Sequence, residues 1–185
     1  MRKILFVFLI LFLFVFFLKN DINNLISGKV VQESEEEKMI PQDFGEIKIY
    51  FCPKDDCEGI LANEIRKSVK IDCAFFELNL DKVKDELNKK NYRLVIDNRK
   101  KNNLSNVKYD DRKELMHNKF CVFDDDRIFT GSFNPTKNDA TRNNNNLVII
   151  ESKTLARNYG EEFDELWNGN FGKGEKILNE KIYFN

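Results

Sequence analysis

An uninterrupted apolar run occupies the N-terminus of the chain. Residues 4–18 contain only apolar side chains, and Lys3 and Lys19 flank them. The run is shorter than the roughly 20 residues of a spanning helix, although flanking lysines can extend its reach. We predict a signal anchor or signal peptide over residues 1–19. The basic residues ahead of the run favour a cytoplasmic N-terminus, so the rest of the chain is expected outside the cytosol, membrane-anchored or secreted if the segment is cleaved.

The remaining pattern predicts a short polar linker and one globular domain. Residues 20–44 are polar and carry the acidic run ESEEE, which indicates a solvated tether. After it, strand-like segments at 46–51, 71–76 and 92–97 alternate with helical periodicity over 57–69 and 80–90. This βαβαβ order predicts an α/β fold, with a central mixed, mostly parallel β-sheet flanked by helices.

The second half of the chain completes the predicted domain. A polar loop from 98 to 115 precedes strands near 118–124, 127–132 and 146–151, and a helix is expected near 153–168. We place the domain at residues 45–172 and a C-terminal tail at 173–185.

The positive charge of the chain is concentrated in one segment, although the chain as a whole is nearly neutral. The chain has 30 Lys and Arg against 31 Asp and Glu, so the overall charge does not indicate a nucleic-acid binder. The segment 98–119, however, holds seven basic and three acidic residues, which gives seven minus three, or +4. Such a basic rim suits a polyanion such as DNA or RNA, and we assign substrate binding to Arg99, Lys100 and Lys101. A merely solvated loop is the alternative.

The stretch HNKFCVFDDDRIFTGSFNPT, at 117–136, contains the only histidine. Alternation along a strand would set His117, Lys119 and Cys121 on one face, with His117 and Lys119 roughly 6–7 Å apart. Imidazole is a good nucleophile and proton carrier near neutral pH, and an ammonium group stabilises an oxyanion. The hydroxyl of Ser132 and the amide of Asn134 could donate to the same anion. These residues predict a phosphoryl-transfer site that uses no metal or other cofactor.

The spacing of this stretch resembles the signature of the phospholipase D superfamily. His-x-Lys, four residues, Asp124, six residues and Gly-Ser-x-Asn follow one another here as they do in that signature. The resemblance covers about residues 45–172, ending on the helix-like EEFDELWNGNF. It implies a phosphodiesterase in which His117 forms a phosphohistidine, Lys119 and Asn134 hold the phosphate, and Ser132 supports it. Asp124 would be an orienting or structural acid.

The presence of one motif in the chain carries a further implication. Single-motif members, such as the small bacterial endonucleases and the mitochondrial cardiolipin hydrolase and piRNA nuclease group, form homodimers that bring two motifs together. The resemblance therefore implies a homodimer acting as an endonuclease on DNA or RNA. A phospholipid hydrolase of the cardiolipin type and a catalytically weakened nucleic-acid-binding module are the alternatives.

One position departs from the family pattern. Relatives often carry a glutamate that orients the histidine where Asn145 stands, and an amide does not stabilise imidazolium as a carboxylate does. Glu77 could supply a carboxylate instead. We also assign Asn145 to substrate binding. The intact His117 and Lys119 argue against an inactive module.

The four cysteines are expected to fall into two groups. Cys52 and Cys57 flank PKDD in a loop and could form a disulfide in a domain outside the cytosol. Cys73 and Cys121 lie in predicted strands, where small core residues are expected. No metal site is expected from them.

Overall fold

A mixed β-sheet forms the centre of the domain. The computed structural model describes residues 42–43, 45–174 and 183–184. Its strands, in chain order, are β1 (Gln42–Asp43), β2 (Ile47–Cys52), β3 (Lys70–Phe75), β4 (Asn91–Asp97), β5 (Val107–Asp110), β6 (Lys119–Phe123), β7 (Arg127–Gly131), β8 (Asn145–Glu151) and β9 (Tyr183–Phe184). Seven of these described strands form one sheet in the order β2-β8-β7-β6-β3-β4-β5.

The sheet confirms the predicted mixed character but not the mostly parallel pairing. Only β3-β4 and β4-β5 are parallel neighbours, and the other four of its six pairs are antiparallel. The difference arises because β2 does not lie beside β3. It pairs with β8 at the edge, with Ile47 opposite Ile150 and Cys52 opposite Asn145.

Helices cover both faces of the sheet. On one face lie α1 (Cys57–Lys67) and α2 (Asp81–Leu87), whose buried side chains include Leu61, Ile65 and Val83. On the other face lies α4 (Lys153–Trp167), which buries Ala156, Phe163 and Leu166 against the side chains of the opposite pleat. Each helix buries the apolar stripe that its periodicity predicted. The fold is thus the three-layer α/β arrangement that the sequence indicated.

Two elements of the structure were not predicted. β5 lies within 98–115, which we expected to be a polar loop, and a short 3₁₀ turn at Asn98–Lys100 precedes it. α3 (Lys137–Thr141) follows the motif, and its first turn is capped by the hydroxyl of Thr136, which accepts from the Asp139 amide. A separate parallel pair joins β1 to β9, so the predicted tether and tail each contribute two residues to a strand.

The predicted anchor at 4–18 and most of the predicted tether and tail lie outside the described residues. None of the helices within the described ranges combines the length and the apolar character that crossing a membrane requires.

Two disulfides cross-link the domain. Cys52 at the end of β2 is joined to Cys57 at the start of α1, where the sequence suggested a pair. Cys73 on β3 is joined to Cys121 on β6, its direct antiparallel partner. The interpretation of the latter two as simple core residues was therefore incomplete. Both side chains are fully buried, but they also form a covalent bond between the two halves of the sheet.

Candidate active site at the end of the central sheet

The histidine and the lysine of the motif lie where β6 begins. β6 starts at Lys119, so His117 precedes the strand rather than lying on it, and its side chain is exposed. The Lys119 ammonium nitrogen Nζ donates to the carbonyl oxygen of His117 at 2.8 Å. Cys121, two residues further on, is buried. The two motif side chains are therefore adjacent, and the imidazole is open to a substrate.

An aromatic ring from the neighbouring strand supports both groups. Phe76, just after β3, lies with its ring centroid 5.1 Å from that of His117 and 5.7 Å from the Nζ of Lys119. The backbone amide of Phe76 donates to the carbonyl of Asn118 at 2.9 Å, which continues the β3-β6 pairing past the strand end. A positive charge over an aromatic face is favourable, so the ring holds the lysine near the histidine.

Ser132 follows β7 and is anchored to β8. Its hydroxyl donates to the Oδ1 of Asn146 at 2.6 Å and accepts from the Asn146 amide at 3.0 Å. Gly131 precedes it with φ +138°, and a Cβ there would lie 2.4 Å from the carbonyl oxygen of Asn146. Only glycine permits this close approach, which explains the Gly-Ser pair of the motif. Continuing the β6-β7 register, in which Cys121 faces Phe129, sets Ser132 at the same sheet end as His117.

Asn134 is held by a carboxylate that the sequence analysis did not identify. Both the backbone amide and the Nδ2 of Asn134 donate to the Oδ2 of Asp139, each at 2.9 Å. The other oxygen of Asp139 accepts from the side chain of Asn143 at 2.7 Å. This leaves one amide hydrogen of Asn134 for a ligand. Thr136 and Asp139 have helix-capping spacing, which is a signal for a helix start but not for this contact.

Electrostatics connect Asp139 to the motif lysine. Burial lowers the pKa of Lys119 below that of an ordinary lysine, and the negative charge of Asp139 acts in the opposite direction. Desolvation strengthens the attraction between this ammonium group and an anion that replaces the missing water. Lys119, Asn134 and Asp139 therefore form one electrostatic unit beside the exposed histidine.

Asp124 lies at the opposite end of β6 and serves the fold. Its Oδ1 accepts from the amides of Val69 and Lys70 at 2.8 and 2.9 Å, and Arg127 donates to Oδ2 at 3.3 Å. Burial alone would raise the pKa of this carboxyl group, but those amides and the arginine hold it below the usual value. Five strand residues, about 16 Å, separate Asp124 from Lys119, so we propose that it is a structural acid and not part of the catalytic group.

The basic rim is only partly free to bind a substrate. Arg99 binds Asp97 through Nε at 2.7 Å and Nη2 at 2.5 Å, and it also donates to the carbonyls of Lys113 and Glu114. Asp97 in turn accepts from the Met116 amide, so Arg99 fixes the loop that leads to His117. We therefore propose a structural role for Arg99 in place of the predicted substrate-binding one.

Lys100 and Lys101 differ in their distance from the site. Lys100 pairs with Glu77 at 3.0 Å, and its Nζ lies 5.4 Å from the centroid of the Phe76 ring. Lys101 is exposed and lies over the ring of Tyr109, 5.6 Å from its centroid. Lys100 therefore borders the site, whereas Lys101 belongs to the outer rim.

Neither proposed substitute for the family's glutamate contacts the histidine. The side chain of Asn145 donates to the Asn143 carbonyl at 3.3 Å, and Glu77 is engaged by Lys100 and by Asn79. Instead, Phe76 supports the imidazole, a residue that the sequence analysis read only as strand. Within the described residues, no three His, Cys, Asp or Glu side chains come together in a way that could hold a metal ion.

Comparisons with known proteins agree with this arrangement. A mitochondrial cardiolipin hydrolase of Chlamydomonas reinhardtii is 34% identical over 62 residues, which are 34% of this chain and 28% of that protein. The alignment thus spans less than a third of that relative. Among solved structures, Nuc of Salmonella typhimurium, a phospholipase D family member, superposes with a TM-score of 0.61 at 20% identity, covering 67% of this chain and 95% of the other.

A second solved structure, NucT of Helicobacter pylori, superposes with a TM-score of 0.57 at 14% identity over 67% of this chain and 96% of the other. At such identities the two structures show a common fold. The family model described as "Cardiolipin synthase, PLD-like domain" matches residues 46–167. That match covers well over half of the chain, so the predicted membership is confirmed, and the chain belongs to the phospholipase D-like superfamily.

Proposed function

We propose that the chain is a metal-independent phosphodiesterase that acts through a phosphohistidine, with a nucleic acid as its substrate. The observation that carries this proposal is the exposed imidazole of His117 beside the partly buried ammonium group of Lys119. The Nζ of Lys119 donates a hydrogen bond to the His117 carbonyl. Asn134 adds a fixed donor at the same sheet end. Ser132, whose hydroxyl hydrogen is donated to Asn146, holds the end of β7 against β8. A nucleophile, a cation and neutral donors suffice to attack phosphorus and to stabilise the charge that develops on its oxygens.

The reaction proceeds in two balanced steps. A ring nitrogen of one His117 attacks phosphorus, the bond to the leaving oxygen breaks, and that oxygen takes a proton from a second imidazole. The second imidazole, now neutral, removes a proton from water, whose oxygen attacks phosphorus and breaks the N–P bond. Lys119 and Asn134 bind the non-bridging oxygens in both steps. Their fixed positions reduce the reorganisation required in the transition state.

The need for two imidazoles supports a homodimer. One chain supplies one histidine, whereas a nucleophile and a separate general acid are required. A two-fold axis near His117 would repeat His117, Lys119 and Asn134 around one phosphate. The exposure of His117 at the end of the sheet leaves it free for such an arrangement.

Nucleic acid is favoured over phospholipid by the charges beside the site. Lys101 extends the positive rim outwards, and Lys100 borders the Phe76 ring in an ion pair with Glu77. A polyanionic chain can contact several such cations at once, whereas a single head group needs only those at the reacting phosphate. The name of the cardiolipin hydrolase relatives keeps phospholipid as the second candidate substrate.

The location of the protein remains part of this proposal. The apolar run at 4–18 would anchor the chain in a membrane, and the catalytic domain at 45–172 would lie outside the cytosol. The two disulfides support a location outside the cytosol, because disulfides form and persist in oxidising compartments. If the N-terminal segment is removed, the same domain would be secreted.

The proposal is tested by assays of the full chain in excess EDTA. Bis(p-nitrophenyl) phosphate, single-stranded DNA, RNA and cardiolipin vesicles are offered in parallel. His117→Ala is expected to reduce hydrolysis by about 10³-fold or more, since it removes the nucleophile. Lys119→Met keeps the length of the side chain and removes the charge, and a loss of about 10²–10³-fold is expected.

Lys101→Met is the matched control, because it makes the same change outside the site. It is expected to leave turnover of the small diester within about two-fold of the parent chain. Activity that strictly requires Mg²⁺ or Zn²⁺, or that survives His117→Ala, would refute the mechanism. Hydrolysis of cardiolipin without cleavage of DNA or RNA would establish the phospholipid alternative.

A further inference from the structure

An open cavity adjoins the active site on the side of the edge strand β2. It has a volume of about 460 Å³ and is lined by residues 51–54 and 144–146 together with Ser132. This volume lies within the roughly 300–1,000 Å³ typical of small-ligand pockets. Because Ser132 belongs to the phosphate-binding motif and also forms part of the wall, a group bound in the cavity lies next to the reacting phosphate.

The cavity wall offers an aromatic surface and free amides. Phe51 is 61% exposed, although it lies on a strand. Within the described residues, the side chain of Asn144 makes no hydrogen bond, and that of Asn145 makes one, to the carbonyl of Asn143. Asn146 is committed to Ser132. The remaining donors and acceptors on Asn144 and Asn145 are available to a ligand.

Charge at the cavity is modest. Lys54 makes no ion pair within the described part of the chain, and two acidic residues follow it. The carboxylates of both are occupied: Asp55 accepts from the Phe51 amide at 2.6 Å, and Asp56 accepts from the Gly59 amide at 2.9 Å as the cap of α1. The ligand that matches this wall is therefore flat, aromatic and rich in hydrogen-bonding edges, with a phosphate nearby.

These features fit a nucleobase better than an acyl chain. A base stacks on an exposed aromatic ring, and amide side chains can pair with its hydrogen-bonding edges. An acyl chain would need an aliphatic wall, and no leucine, isoleucine, valine or methionine is among the lining residues. We propose that this cavity binds the nucleobase next to the scissile phosphate, and that Phe51 is the stacking surface.

The inference deepens the proposed nuclease function and rests on it. A base within a duplex is stacked and paired, so it can enter the cavity only when it is unpaired. The protein is therefore expected to prefer single-stranded nucleic acid over duplex. The rim lysines would attract either form, and the cavity is what would distinguish them.

The test combines variants of Phe51 with substrates that have or lack bases. The full chain is assayed with a short single-stranded oligothymidylate and with a backbone of equal length made only of abasic residues. Phe51→Ala is expected to raise KM for the oligothymidylate by about 5- to 150-fold, the range found when a stacking aromatic is removed. It should change KM for the abasic backbone by less than about two-fold. Phe51→Trp retains a stacking surface and should restore most of the loss.

Ile49→Ala is the matched control on the same strand and the same pleat. Ile49 is 57% exposed, and it does not line the cavity. This variant should leave both substrates unaffected, and thermal unfolding of each variant checks that β2 is still formed. Equal effects of Phe51→Ala on the two backbones would overturn the nucleobase assignment, as would a failure of Phe51→Trp to restore binding.

Failure of the cavity proposal can be distinguished from failure of the proposed function. If the parent chain cleaves the oligothymidylate and loses this activity in His117→Ala, but Phe51→Ala has no effect, only the cavity proposal fails. If the parent chain hydrolyses cardiolipin vesicles and no oligonucleotide, both the nuclease function and the nucleobase site are overturned.

Discussion

Replacing Asp124 tests whether this motif carboxylate serves the fold rather than catalysis. Asp124→Asn keeps an acceptor for the amides of Val69 and Lys70 but removes the negative charge. Hydrogen bonds with a charged partner contribute about 1.5–3 kcal/mol and neutral ones about 0.5–1.5 kcal/mol, so the two bonds together predict a loss of about 2–3 kcal/mol. At roughly 2–4 °C per kcal/mol for a domain of this size, Tm should fall by about 4–12 °C.

The backbone at this position makes a second variant informative. Asp124 has φ +53°, a conformation that asparagine tolerates and alanine does not. Asp124→Ala adds about 1–2 kcal/mol of backbone strain and leaves two amides without their partner. We therefore expect a loss of about 3–5 kcal/mol in urea unfolding. Asp125→Asn is the control: Asp125 has φ +58° and forms an exposed ion pair with Lys70, for which about 0–1 kcal/mol is expected.

The pH dependence gives an independent check. The pKa of Asp124 is held below its usual value, so its stabilisation is complete above the ordinary aspartate pKa of about 4 and is lost as the pH falls. The difference in unfolding free energy between the parent chain and Asp124→Asn should therefore shrink between about pH 5 and pH 3. Turnover of bis(p-nitrophenyl) phosphate near pH 7 should stay within about two-fold. A turnover loss above about ten-fold with unchanged stability would refute this assignment.

Three further outcomes follow from the site. Asp139→Asn removes the charge that opposes the burial of Lys119, so the pKa of Lys119 should fall further and the alkaline limb of the pH–rate profile should move to lower pH; an unmoved limb would contradict this coupling. Arg99→Ala should lower Tm by about 4–10 °C, because the buried carboxylate of Asp97 loses its guanidinium partner and keeps only backbone amides. Lys101→Ala should leave Tm unchanged and reduce the salt-dependence slope of DNA binding by about 0.7–0.9. Excess His117→Ala chain, equilibrated with the parent chain, should suppress its activity by forming mixed dimers, and undiminished activity would argue against a shared site.

The sequence predicted the strands of the first half well, but not which strands are neighbours. The strand-like segments at 46–51, 71–76 and 92–97 identified β2, β3 and β4 to within one residue at each end. Periodicity reports which face of an element is buried and carries no information on its partner, so the pairing of β2 with β8 had to come from the fold. β5 was not predicted because Val-Lys-Tyr-Asp is short and half polar. Its pairing with β4 stabilises it as a strand.

The site was predictable where residues are close in sequence. His117, Lys119, Ser132 and Asn134 could be identified from their spacing, and the structure brings them to one end of the sheet. The contacts of Phe76 with His117 and of Asp139 with Asn134 depend on tertiary packing, and neither residue type is diagnostic alone. The ion pair of Arg99 was not predicted, because a count of positive charges along the sequence does not reveal which of them already has a carboxylate partner.

The bond between Cys73 and Cys121 affects how the chain must mature. The two cysteines are 48 residues apart in sequence, so the cross-link encloses α2, β4 and β5, and a chain-entropy estimate gives about 4 kcal/mol of stabilisation. That is a large share of the roughly 5–15 kcal/mol by which domains are typically stable. Synthesis in a reducing cell compartment would produce chains that lack this contribution and are cleared more readily by quality-control proteases. The redox chemistry of the compartment in which the chain folds thus sets how much functional protein accumulates.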